Sequence, residues 1–172
     1  MDKVTIIAGK YKGQKIATPG KGTHPMGSRE KLALFNMIAG RIEGSLVLDA
    51  FAGSGALGLE ALSRGANSVV FVEKNPKAAK VISENLKSLG VESDFEVIKG
   101  AVSGASGDFD IVLADPPYDD FDIKEVGSLA SLVKSGGILV LSHPFEAPVF
   151  EGLTLLKTHK YARAHISVYA KD

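Results

Sequence analysis

Apolar residues recur along this chain in short blocks, and the spacing inside each block predicts its element. Lys3–Ala8 and Gln14–Ala17 read as two short strands around a Gly9–Gly13 turn. Pro19–Gly27 is a loop rich in Gly and Pro. Ser28 is placed to N-cap a helix whose apolar positions Leu32, Phe35 and Ile38 fall at helical spacing, with Gly40 ending it. The chain then alternates. Ser45–Ala50 is a strand, Ala56–Arg64 a helix, and Ser68–Glu73 a second strand. Asn75 caps the next helix, Pro76 suits its first position, and Gly90 lies just past its end. Phe95–Ile98 and Phe109–Ala114 are strands, Ile123–Val133 is helical, and Gly137–Ser142 is a strand. Thr154–Tyr161 and His165–Ala170 have no helix between them and should pair antiparallel.

Strands that alternate with helices and read as continuous apolar runs belong to a parallel sheet covered on both faces. The right-handed crossover rule leaves a doubly wound α/β sheet, with an antiparallel hairpin closing one edge. Residues 1–44 are expected to form an N-terminal β-hairpin and helix extension, and residues 45–172 the main domain. The connection Gly100–Asp108 is short and rich in Gly, Ala and Ser, so its crossover helix is expected to be reduced or missing.

Composition changes this picture in one respect. The 172 residues carry no net formal charge, which argues against a general polyanion binder. Yet residues 1–44 hold eight Lys or Arg against three acids, an excess of five that the remainder cancels. A basic arm on a near-neutral body is one reading, and an ordinary solvated surface is the other. Lys10, Lys12, Lys15 and Arg29 are the candidate RNA-binding residues. Cysteine is absent, which excludes disulfides and thiolate metal sites. The N-terminal apolar run is too short for a signal peptide, and no run reaches a membrane span. The four histidines show no metal-ligand spacing, so no metal is assigned. The expectation is a cytoplasmic monomer that touches no membrane.

Chemistry concentrates at two strand ends. The first strand runs into Asp49-Ala50-Phe51-Ala52-Gly53-Ser54-Gly55, and Gly53, Gly55 and Gly58 satisfy a G-x-G-x-x-G pattern. Ligands of open parallel sheets bind beyond the carboxyl ends of the strands. Glu73 ends the second strand and can accept two hydrogen bonds from a ribose diol, in NAD or in S-adenosylmethionine. Asp49 tilts the choice toward S-adenosylmethionine, the other reading being a structural Asp49 that caps the loop amides. Next to a pyrophosphate it would repel, whereas it suits the methionyl ammonium of S-adenosylmethionine. The expected cofactor-binding residues are Asp49, Phe51, Ala52, Gly53, Ser54, Gly55, Glu73, Lys74, Ala101, Asp115 and Asn36.

The fourth strand ends in Asp115-Pro116-Pro117-Tyr118. Prolines fix φ and hold the preceding residue extended. The Asp115 carboxylate and the Pro116 carbonyl then project together as two acceptors, and an exocyclic amine has two hydrogens to give. Such bonds aim the amine lone pair and favour the charge that develops on nitrogen. Tyr118 offers a face to a base drawn out of its stack. Asp115, Pro116, Pro117 and Tyr118 are the candidate catalytic residues. His143-Pro144 either lines the base pocket or is plain loop, and Lys160, Arg163 and Lys171 either touch phosphates or are solvated.

These segments resemble the RsmD family of 16S ribosomal RNA guanine-N2 methyltransferases. The matching pieces are Ile6-Ile7-Ala8-Gly9 with Lys12-Gly13, Leu34-Phe35-Asn36, the run Leu48–Gly65, Glu73, and Asp115–Tyr118. The resemblance implies a class I methyltransferase (Rossmann-like) fold, S-adenosylmethionine as donor, and a guanine of ribosomal RNA or of the small subunit as target. It also implies that the N-terminal loop and helix, with Arg29 and Asn36, close over the methionine end of the cofactor. The chain departs from the family at His24-Pro25-Met26, where Arg-Pro-Thr is usual, and at Leu32, where an acid is usual. Beside the third strand, any adenine contact falls to the backbone of Ala101. The alternatives are an adenine-N6 methyltransferase, a nicotinamide oxidoreductase and a non-catalytic RNA-binding relative.

Overall fold

A computed structural model gives the protein's structure for residues 2–20, 25–161 and 163–172. His24 and Lys21 fall outside the described residues. The elements in chain order are β1 (Lys3–Thr5), β2 (Lys15–Ala17), α1 (Ser28–Met37), β3 (Leu46–Asp49), α2 (Ala56–Ser63), β4 (Ser68–Glu73), α3 (Pro76–Ser88), β5 (Phe95–Lys99), β6 (Phe109–Ala114), α4 (Ile123–Ser128), β7 (Val133–His143), β8 (Leu153–Lys160) and β9 (His165–Lys171). The main sheet runs β5-β4-β3-β6-β7-β9-β8, and β1 pairs with β2 in a separate two-stranded sheet. The strands from β5 to β7 are parallel, while β9 is antiparallel to both its neighbours. This is the doubly wound sheet with an antiparallel edge that the apolar blocks predict.

The period of two along each strand divides the core into two clusters. Val47, Phe71, Leu113, Val140 and Val168 face α1, α2 and α3. Leu48, Val72, Val112, Leu139 and Tyr169 face α4 and the segment carrying Phe150. Only a single 3₁₀ turn, Val102–Gly104, lies between β5 and β6. The crossover helix is indeed reduced, because Gly and Ser stretches cannot sustain one.

Three local expectations change. Ser28 is the first residue of α1, and Gly27 occupies the cap without a side-chain bond. The buried face of α1 is Lys31, Leu34 and Phe35, continued by Ile38, and Leu32 points outward at 42% exposure. Phe35 and Ile38 are buried as the spacing predicts, but Leu32 gives way to a charged residue, Lys31, at the core position beside it. α4 stops at Ser128, a 3₁₀ turn follows, and β7 starts at Val133. In contrast, Asn75 caps α3 by accepting from the N–H groups of Lys77 and Ala78, with Pro76 at the first position.

Lys31 is buried because Glu60 of α2 meets it. Its Nζ lies 3.2 Å from the Glu60 carboxylate and donates to the Thr5 carbonyl at 2.9 Å. Glu60 is fully buried and also accepts from the N–H groups of Ile7 and Ala8 and from Arg64 Nε. Ser63 adds two more ties to the same segment, donating to the Ala8 carbonyl and accepting from the Tyr11 N–H. On the other side, Asn85 of α3 pairs with both backbone groups of Ala17. Ile6, Ile16, Leu34, Phe35, Ile38 and Ile42 therefore share a core with α2 and α3.

Removing one partner of a buried pair strands the other charge. Glu60→Ala leaves Lys31 and two backbone N–H groups without their acceptor. The expected loss is about 3–5 kcal/mol in urea denaturation. A loss below about 1 kcal/mol would show that water replaces the carboxylate.

Candidate active site at the sheet switch point

β3 and β6 are neighbours, with Asp49 opposite Leu113. From β3 the chain winds one way through β4 to β5, and from β6 it winds the other way through β7. The ends of β3 and β6 thus flank the crevice where such sheets take ligands. Asp49 and Asp115 stand on its two sides, and Glu73 ends the adjacent β4.

The loop after β3 is held from several directions. Glu73 accepts from the Gly53 N–H at 2.7 Å and from the Asn75 N–H at 2.9 Å. It therefore braces the loop as well as facing the crevice. Lone pairs remain on both oxygens for further donors. Asn85 donates to the Ser54 carbonyl at 3.0 Å, joining this loop to β2 through one side chain. Gly58 admits no side chain, since a Cβ there would lie 2.3 Å from the Phe71 ring. That contact seats α2 on β4 and brings the Gly58 N–H to Asp49 Oδ2 at 2.9 Å.

Asp49 Oδ1 is the telling atom. It is buried and has no hydrogen-bond partner. Burial pushes this carboxyl up from 3.8 to about 7; the Gly58 bond opposes the shift, and the Asp115 and Glu73 charges add to it. A buried acceptor among like charges fits a cationic donor such as an ammonium. At Gly53 a side chain would project into open space, as at the edge of a cradle. These residues fit S-adenosylmethionine.

Asp115 is raised to about 6 by burial, against a hydrogen bond from Ser142 that pulls it down. Ser142 is buried on β7 and also contacts the Tyr118 hydroxyl. An ionised carboxylate only accepts, so Ser142 donates to Asp115 and Tyr118 donates to Ser142. The strand register makes this possible, because Ala114 pairs with Leu141. Burial raises the Tyr118 hydroxyl; the Ser142 bond opposes this, and the Asp115 and Glu30 charges add to it. Glu30 belongs to the first turn of α1, so that turn lies close to the catalytic turn.

The other candidates are spread more widely. Pro116 is buried and Pro117 exposed. Phe51 packs partly against the second core cluster, Ala52 is buried, and Lys74 and Ala101 are exposed at the ends of β4 and β5. Asn36 and Arg29 are on the exposed side of α1. Lys10 donates its N–H to the carbonyl of Ser63, at the end of α2 remote from the glycine loop. Lys12 sits in the same turn, and Lys15 is exposed on β2. His143 is fully buried and lines no open pocket. Its Nδ1 donates to the Phe145 carbonyl at 2.7 Å, so Nε2 accepts from Ser167. Burial lowers its pKa, which keeps the ring neutral. Lys171 donates to the Ala130 carbonyl and is a structural tie. Among the described residues no group of three His, Cys, Asp or Glu could hold a metal. No described helix is long and apolar enough to cross a membrane.

Two participants are not visible in the sequence pattern. Ser142 reads there only as a strand end, and Asn85 only as one residue of a helix. The available signal is a polar residue at a position the apolar pattern marks as buried.

The family described as conserved hypothetical protein 95 matches residues 4–170. The chain belongs to the RsmD family. It is 31% identical over 180 residues to the Bacillus subtilis protein named "Putative rRNA methyltransferase YlbH", covering 96% of this chain and 98% of that one. It is 38% identical over 127 residues to ribosomal RNA small subunit methyltransferase D of Haemophilus influenzae. That match covers 67% of this chain and 64% of the relative, a little under two thirds of its length. The yhhF protein of Escherichia coli superposes with a TM-score of 0.88 at 27% identity, covering 99% of each chain. The fold is that of the class I methyltransferases.

The acid pair sets a pH dependence. Between pH 3.8 and about 7 folded Asp49 keeps a proton that the unfolded chain has lost. Stability of the ligand-free protein should therefore fall as pH rises through that window. Asp115 contributes the same trend up to about 6. In Asp49→Asn the fall should end near pH 6, where wild type continues to about 7. Urea midpoints across pH 4 to 8 check this; identical curves would mean that Asp49 titrates near its ordinary value.

Proposed function

We propose that this protein transfers the methyl group of S-adenosylmethionine to the exocyclic N2 amine of a guanine in small-subunit ribosomal RNA. The observation that carries this is the pairing of two features across the switch point. One is a buried carboxylate oxygen lacking a donor, at Asp49. The other is the Asp115 carboxylate, backed by Ser142 and Tyr118. Family membership and the relatives named for ribosomal RNA methylation support the reaction class and the substrate. The proposed setting is the cytoplasm.

Bound S-adenosylmethionine supplies an electrophilic methyl group on a sulfonium centre. Asp49 Oδ1 accepts from the ammonium of the methionyl end, and Glu73 accepts from the ribose hydroxyls with the lone pairs that Gly53 and Asn75 leave free. Asp49, Glu73 and Asp115 together give the crevice a negative potential that suits a ligand carrying an ammonium and a sulfonium. Phe51, Ala52, Gly53, Ser54 and Gly55 form the loop wall, while Lys74, Ala101 and Asn36 border it.

Asp115 and the Pro116 carbonyl accept the two hydrogens of the target amine and aim its lone pair. As nitrogen forms its bond to carbon it gains positive charge, and these two acceptors strengthen as that happens. The surplus proton on nitrogen passes to the Asp115 carboxylate, leaving the neutral methylamino group. Ser142 keeps Asp115 ionised and oriented, and its contact with Tyr118 fixes the ring that flanks the base. Domain roles follow: residues 45–172 carry the chemistry, and α1, whose Glu30 lies near Tyr118, borders the cofactor crevice.

The test is methylation of small ribosomal subunits with labelled donor, followed by nucleoside mass spectrometry. The expected product is N2-methylguanosine, whereas N6-methyladenosine would replace this reading with its adenine alternative. Asp115→Ala should slow single-turnover methylation by about a hundred- to a thousandfold while S-adenosylhomocysteine binding stays within a few-fold. Near-normal turnover in that variant would mean that groups other than Asp115 orient the amine and take its proton.

Ser142→Ala should slow turnover by about tenfold, as for loss of one hydrogen bond to a charged group. The acid limb of its rate profile should also move to higher pH, because the bond that lowers Asp115 is gone. An unmoved limb would assign Ser142 a packing role only.

A further inference from the structure

The C-terminal hairpin carries a charge pattern that the catalytic machinery does not use. From Gly152 to Lys171 the chain contains no Asp or Glu, yet it contains Lys157, Lys160, Arg163 and Lys171. Lys157 and Lys171 are engaged with the Met37 and Ala130 carbonyls. Lys160 and Arg163 are exposed at the hairpin tip. None of the four ion pairs among the described residues involves them. The tip is anchored: Tyr161 packs against the first core cluster, and its N–H donates to the Ala164 carbonyl at 2.7 Å.

Strand direction puts this tip beside the chemistry. β7 is parallel to β6, so Ser142 and His143 end at the level of Asp115. β9 is antiparallel to β7 with His165 opposite His143, and Lys160 of β8 pairs with His165. The order β6-β7-β9-β8 places Lys160 three strands from β6, roughly 14 Å at about 4.8 Å per strand. That is a span of about two nucleotides. By contrast, the Lys10 and Lys12 turn docks at the far end of α2. α2 runs back from the glycine loop toward the start of β4, so this turn lies about 12 Å away toward the opposite ends of the strands, whereas Lys160 is level with the catalytic ends.

We infer that Lys160 and Arg163, at the tip of the β8–β9 hairpin, form the phosphate clamp that holds the RNA strand flanking the target base. The N-terminal turn of Lys10 and Lys12 does not. This rests on the proposed ribosomal RNA substrate. The clamp fixes the strand on the hairpin side of the catalytic turn, so the base enters between Tyr118 and the cofactor crevice from that side.

The test uses full-length K160A/R163A, whose substitutions are both on exposed residues, alongside K10A/K12A and wild type. Binding to 16S ribosomal RNA is measured across salt concentrations, and single-turnover methylation of small subunits across substrate concentrations. Each phosphate contact contributes roughly 0.7–0.9 to the slope of log affinity against log salt. K160A/R163A should therefore lose about 1.4–1.8 of that slope, and its half-saturating subunit concentration should rise about tenfold. S-adenosylhomocysteine affinity should stay unchanged. A wild-type slope in K160A/R163A, with wild type still methylating, overturns the clamp alone. The slope loss appearing in K10A/K12A instead moves the contact to the N-terminal turn and also overturns it. Wild type that neither binds nor methylates the RNA overturns the clamp and the functional reading together.

Discussion

The buried carboxylate of Glu60 is the point on which the N-terminal third of the structure depends. It has no contact with solvent and takes donors from Ile7, Ala8, Lys31 and Arg64. Those donors come from three separate stretches of chain, so satisfying one charge sets the positions of three elements. A buried ion pair is costly to desolvate, and an apolar replacement of equal volume is often no less stable. Its value here is in register. Lys31 can leave water only where Glu60 and the Thr5 carbonyl meet it, which fixes how α1 rolls on the core. That roll points Glu30 toward Tyr118 and leaves Arg29 and Asn36 on the outside.

A second constraint runs along the carboxyl ends of the strands. Asp49, Glu73 and Asp115 lie close enough for the charges of the other two to raise Asp49, and among the described residues no positively charged side chain neutralises it. Such an arrangement opposes folding at neutral pH. It is tolerated because the opposing charge comes with a cationic ligand, and binding then relieves a cost built into the ligand-free protein. The rigid parts that hold this crevice open are not the acids themselves. They are Asn85 across Ala17 and Ser54, the Gly58 contact with Phe71, and Ser142 between Asp115 and Tyr118.

Charge is unevenly spread along the chain at this end of the sheet. Asp119, Asp120 and Asp122 follow Tyr118, whereas the hairpin from Gly152 to Lys171 carries cations and no acid. A polyanion is drawn toward the hairpin rather than toward the segment after Tyr118. The neutral overall charge conceals this, since net charge sums over distance and a field does not.

Much of this is legible in the chain. Strand–helix alternation, the cap at Asn75, the spans of β4 and β6, and the reduced crossover after β5 all follow from local periodicity and from backbone preferences. The acids Asp49, Glu73 and Asp115 are legible because motif spacing ties each to a strand end. The roles of Lys31, Asn85 and Ser142 are not. Each is a polar residue in a position that a periodicity reading reserves for apolar ones, and each is accounted for only by a partner 29, 68 or 24 residues away. The same limit applies to charge: the sequence shows an excess of lysines near the N-terminus, but tertiary structure alone decides which cations share an end of the sheet with Asp115. Local preference acts over a few residues, whereas desolvation is settled by whichever distant group arrives to share the buried space.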